Sequence, residues 1–419
     1  MLSVRKFYQR IGTRPLSQHT NRVVLGLVVL TVLLCGALVF AWVPREPSPP
    51  SYPELAELAA KRWSFDELSG YFTALAGKKG AVYAYHVLAV VVLPPGIDMH
   101  LMGHVVGEEL YKQEGIEGIK ECTPDFRNAC SHTIVIGALQ EFGAGDATVG
   151  KIRAACKQAP GGPGAYTMCY HGLGHGVFAY FGYKIPETVA FCERLGTKEY
   201  GNQEYPQCVG GMIMELIDGG GHDQDQWEAA RVAYVDPNDP LAPCNRAIIP
   251  EATKSFCYTY LTPNLFAAAG ANLGNPDPAT FSKAFSFCTP IASAALRKVC
   301  YGGFGKEFVP LAGARDIRNV DSFSDEVYRR AIGWCMEGPS DEARTACVSQ
   351  ALSSVFWGGE NDPEASFRFC SLVPEGAMSD ACYADLSGDI RSYTSGDTRA
   401  KLCGRLPEAF VAGCGAGGR

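Results

Sequence analysis

Five of the chain's eight histidines fall in three short segments: His100 and His104 in Asp98–Gly107, His132 beside Cys130, and His171 and His175 in Cys169–Gly176. Two of these segments place histidines at i and i+4. On a helix that spacing puts both rings on one face, a turn apart, where two imidazoles can share a metal ion. Scattering eight histidines over this length gives roughly 0.15 such pairs by template counting, so two pairs is a pattern and not background. Glu108 continues the first stripe by a further four residues. The candidate ligand set is therefore His100, His104, Glu108, His132, His171 and His175. Imidazoles with a carboxylate suit zinc, copper or iron. Met99, Met102, Met168, Met212 and Met214 lie near the site segments and lean the choice toward copper, although methionine also serves as core filler. The other reading of the cluster is a polar network or a pH-sensitive element. Haem attachment through Cys-x-x-Cys-His and the His-Glu-x-x-His zinc-protease motif are both missing from the sequence.

The elements that must position these side chains are helices. Asp98 is a suitable N-cap for the first. Gly103 and Gly107 fall inside that helix, and Gly172, Gly174 and Gly176 surround the second pair. Each interior glycine costs about 1 kcal/mol of helix propensity; close approach of two histidine-bearing helices is a reason to keep them. Glu141, Glu215 and Glu307 are candidates for outer partners or a general base, and each taken alone reads as surface charge. His86, in an apolar run, reads as a core residue. The insertion Asp218–Ala242, acidic and Gly-rich at its start, reads as a plain surface loop, with a lid or a weak calcium loop as the alternatives.

Sixteen of the seventeen cysteines form eight successive pairs, from Cys122/Cys130 to Cys403/Cys414, with 7 to 15 residues inside a pair and a period of 33 to 52 residues between pairs. Such periods belong to helical-repeat arrays. Helix-start signals recur within the units, as at Asp277-Pro278, Ser340-Asp341 and Asp362-Pro363. Aromatic-Cys steps such as Phe191-Cys192 and Phe369-Cys370 close the first helix, and the second cysteine lies inside the next. Each unit is read as a helical hairpin stapled by its own disulfide, which leaves the cysteines unavailable as ligands. A loop of ~12 residues contributes about 3 kcal/mol at most in the chain-entropy model. The predicted fold is all-α, an α-solenoid-like array of eight hairpins over residues 114–419 behind a helical cap, residues 54–113, that carries His100 and His104.

Disulfides at this density require an oxidising compartment. The odd cysteine, Cys35, lies in Val23–Val43, an uncharged run long enough to span a bilayer. The preceding tail, residues 1–22, carries Arg5, Lys6, Arg10, Arg14 and Arg22 and no acid. The positive-inside rule places it in the cytoplasm and the rest outside, periplasmic or extracellular. The run is long for a cleaved signal peptide, so it reads as a signal-anchor. Residues 44–53 form a proline-rich spacer. The net charge of −7 and the pI near 5.7 exclude nucleic acid as a partner. Two function classes compete: a rigid frame around a catalytic or redox metal, and a scaffold that binds a protein partner on its repeat surface with a structural metal or none. Neither a Ser-His-Asp arrangement nor a phosphate loop or nucleotide fingerprint supports a hydrolase or kinase.

Overall fold

Short polar side chains set the helix starts. Ser64 and Glu67 form a reciprocal capping box on Phe65–Lys79. Asp98 caps Met99–Glu114, Asp277 caps Pro278–Ser286, Ser340 caps Asp341–Phe356 and Asp362 caps Pro363–Leu372, each by accepting from backbone N–H groups of the first turn. Satisfying those otherwise unpaired donors is worth about 1 kcal/mol per cap. In this computed structural model the described residues are 52–415, apart from 94–96, 124–125, 127, 161, 198–201, 220–223, 316, 358–360 and 395. Their regular structure is helical, with a single isolated bridge between Asp236 and Asp239.

The predicted neighbour pairing of the cysteines holds in all eight units, with Cα–Cα distances of 5.3–5.8 Å. The helices bearing the second cysteines pack on one another in chain order. Met99–Glu114 meets Ala129–Phe142, then follow Gly162–Tyr180, Glu204–Asp218, Lys254–Tyr260, Ala294–Ala312, Asp341–Phe356, Ala377–Tyr393 and Glu408–Gly415. The first helices of the hairpins, such as Ile185–Leu195 and Asp325–Cys335, pack against this succession. The 3-10 turn Ile317–Ser322 touches Met99–Glu114, so a late unit meets the first histidine helix. Residues Glu54–Arg419 form one compact unit.

Two units depart from the predicted hairpin. Cys122 follows a 3-10 turn, Gly115–Glu121, and not an α-helix. Cys244 lies among turns, because Pro237, Pro240 and Pro243 remove backbone donors and break helical φ/ψ there. The insertion of the third unit is a helix over Gln224–Tyr234 and not a plain loop; its glycine-rich start, 220–223, lies outside the described residues. The predicted signal-anchor Val23–Val43 and its basic tail also lie outside them. Among the described residues no helix is long and apolar enough to cross a membrane.

Candidate metal centre

Three consecutive inner helices carry the five histidines. Asp98 starts the first by accepting from the backbone N–H groups of His100 and Leu101 at 2.9 and 3.1 Å. Its glycines let the second helix close in: a Cβ on Gly107 would lie 3.0 Å from the Cα of Cys130. The third helix is bare where it meets its neighbours. A Cβ on Gly174 would lie 2.0 Å from the carbonyl oxygen of Cys208. Glycine is needed at these crossings because any side chain would push the helices, and the histidines on them, apart.

The rings converge. His100 and His104 have centroids 4.8 Å apart, and His171 and His175 5.1 Å apart. His132 stands between the pairs, 5.5 and 5.8 Å from the first two rings and 5.7 and 5.9 Å from the second two. One nitrogen each from His100, His104 and His132 lie within 4.8 Å of one another, a group able to hold a metal ion.

Outer partners fix the tautomers. His100 Nδ1 lies 2.8 Å from the carbonyl oxygen of Phe126, which can only accept, so Nδ1 carries the proton. Thr133 donates its hydroxyl to the Ala129 carbonyl at 3.0 Å and therefore accepts from His104 Nδ1 at 2.9 Å. The Nε2 atoms of His100 and His104, each left with a lone pair in the neutral ring, face one another at 3.2 Å. The second pair repeats the design on one ring only, since His171 Nδ1 is buried without a hydrogen-bond partner. His175 Nδ1 donates to Glu215 Oε2 at 3.0 Å, and its Nε2 faces His171 Nε2 at 3.3 Å. Two nitrogens bound to one tetrahedral ion with bonds of about 2.0–2.1 Å stand ~3.3 Å apart, the spacing of both pairs.

His132 is 1 % exposed, and neither of its ring nitrogens has a hydrogen-bond partner. An unpaired buried polar atom costs about 1–3 kcal/mol, and such atoms are rare without a ligand to serve. Burial pushes His132 well below the usual imidazole range, and His100, His171, His104 and His175 push the same way. His171 is also lowered, first by burial and then by His175, Lys306 and His100, with the Gln207 backbone opposing. Both rings are thereby held neutral, the form that coordinates a metal.

Glu108 does not join the histidines. Its side chain is 62 % exposed and pairs with Lys112 at 2.9 Å. Each four-residue step overshoots a helical turn by about 40°, so two steps from His100 swing the carboxylate off the site face. Glu215 supplies the carboxylate instead, 4 % exposed and bound to His175. Glu141 accepts from the Tyr111 hydroxyl at 2.5 Å, and Glu307 pairs with Lys306. His86 is exposed, because its short helix turns Ala84, Tyr85 and Leu88 to the core. Trp227, in the insertion, donates to the Glu215 carbonyl at 2.7 Å and so braces the helix end beside the site.

A cavity of about 460 Å³ adjoins the cluster, and His100, His132 and His171 line it. Its other walls include Tyr260, Lys306, Trp357 and Asp389. Tyr260 lies on His171 with centroids 4.8 Å apart, and the Lys306 ammonium sits 5.0 Å from the Tyr260 ring centre. Asp389 Oδ2 is buried without a hydrogen-bond partner, and burial, aided by Asp385, raises its carboxyl to about 7. Sequence reasoning passed over Lys306 and Asp389. The i, i+4 repeat of Asp385 and Asp389 on a half-apolar helix was the available signal for the second. Compared with known proteins, the chain matches no family model, no curated protein and no solved structure.

Proposed function

We propose that the chain is a membrane-anchored, extracytoplasmic helical-repeat protein whose five-histidine cluster binds a transition metal, copper, zinc or iron, and offers it to a small molecule in the adjoining cavity. The observation that carries this reading is the facing of the His100 and His104 Nε2 lone pairs at 3.2 Å, enforced by a partner on the far nitrogen of both rings, beside the His171 and His175 Nε2 atoms at 3.3 Å. Two facing lone pairs repel, and a bound cation converts that repulsion into coordination. His100, His104, His132, His171 and His175 would hold the ion, with Thr133 and Glu215 orienting rings behind it. Such an ion supplies Lewis-acid or redox chemistry. Three ring contacts on a cavity wall favour an open coordination position over a closed structural one. The volume also falls within the roughly 300–1,000 Å³ usual for small-molecule sites.

A scaffold role is the alternative. Phe142 and Tyr180 are 43 % and 46 % exposed, apolar positions that a protein partner could cover. Elemental analysis of the purified chain separates the two readings. Retained copper, zinc or iron in the wild type, lost on His104→Ala, is the expected result. A wild-type chain that retains none after exposure to each ion leaves the scaffold reading.

A further inference from the structure

The central position of His132 calls for its own explanation. Either i, i+4 pair could bind a metal with help from one further nitrogen, and a single ion would need only one of the pairs. His132 is instead nearly equidistant from four rings, at 5.5, 5.8, 5.7 and 5.9 Å. Both its nitrogens are buried and unpartnered. A histidine bound to one metal ordinarily donates its second ring N–H to a protein acceptor, as His104 and His175 do here. His171 Nδ1 also lacks an acceptor, but its Nε2 faces that of His175 at 3.3 Å, whereas His132 has no partner on either nitrogen. A ring that keeps both nitrogens buried and unpaired is built to use both on ligands.

We infer that the cluster is a two-metal centre in which the His132 imidazolate bridges one ion held by His100 and His104 to a second held by His171 and His175. The inference rests on the metal reading above. The first ion takes the lone pair of one His132 nitrogen. The second replaces the proton on the other nitrogen, which leaves to solvent as H⁺, so the bridge forms with release of one proton and no change of oxidation state. With bonds of about 2.0–2.1 Å the ions would stand roughly 6 Å apart across the ring. Each ion would have three protein nitrogens and a remaining position, as catalytic sites do. Glu215 lies behind the second pair only, so the two ions differ in outer partners and need not be the same element.

Copper(II) titration of the demetallated full chain tests this, read by elemental analysis and by low-temperature electron paramagnetic resonance. Two copper ions per chain are expected, with most of the spin intensity lost through exchange across the imidazolate. His171→Ala should halve the copper content and restore the full signal of the ion that remains. One ion per wild-type chain overturns the bridge and keeps the metal site. Two ions with undiminished signal overturn the bridge as well. A chain that takes up no copper, zinc or iron overturns the metal reading itself. The stoichiometry and the spin signal are measured on the wild type, so the result does not depend on a His132 variant folding.

Discussion

His132 rests against Gly172: the Cδ2 atom of its ring lies 2.3 Å from the point a Cβ on residue 172 would occupy. That contact holds the central ring in the gap between two helices. Gly172→Ala is expected to displace the ring and to lower stability by about 1–3 kcal/mol, the usual range for overpacking, with loss of bound metal. Gly70→Ala is the control, because nothing lies within 4 Å of its Cβ position. It should stabilise by up to about 1 kcal/mol. Thermal melts and metal content of the two variants check the contrast.

Glu215 orients His175 from behind at 3.0 Å. Glu215→Gln keeps the size and weakens the acceptor, so metal affinity should fall by ~10–100-fold, as for other outer partners of metal-bound histidines, while helical content stays unchanged. Competition against a chelator, with circular dichroism alongside, measures both. An unchanged affinity would remove Glu215 from the site.

Asp389 gives stability a pH dependence of known sign. Its carboxyl is raised to about 7 in the folded chain, from the ordinary aspartate value of 3.8, mainly by burial. Between those values the folded chain keeps a proton that the unfolded chain has lost, so stability falls as pH rises through this window. The loss is complete above about 7. Asp389→Asn cannot ionise, and its melting temperature relative to wild type should rise from pH 5 to pH 8. A constant difference across that range rules the assignment out.

Topology is tested by reporter fusion. With Val23–Val43 as an uncleaved anchor and the basic tail inside, a reporter that works only outside the cytoplasm should be active when fused after Arg419. Membrane fractionation should keep the whole chain in the pellet at high salt. Activity of a cytoplasm-only reporter at that position would overturn the compartment argument.

Most of what was legible in the sequence is local. Asp98, Asp277, Ser340 and Asp362 cap helices where predicted, because an N-cap depends on residues within one turn. Cysteine pairing was readable for the same reason: the paired residues are 8 to 16 positions apart, and a hairpin brings them together without help from the rest of the chain. The i, i+4 histidines each share a face because helical geometry alone decides it. Glu108 shows where that reasoning ends, since the drift of the helix over two steps carried it away from its stripe.

The amino-acid sequence by itself determined the helices, their staples and the two histidine pairs, all set by interactions over one or two turns. Tertiary structure decided that His132 stands between pairs whose members are up to 75 positions apart, that Glu215 and not Glu108 is the carboxylate, and that Lys306 and Asp389 share a cavity with the histidines. Those outcomes depend on how closely whole helices approach. The approach is set by contacts such as Gly172 on His132 and Gly174 on Cys208, which join residues from different units.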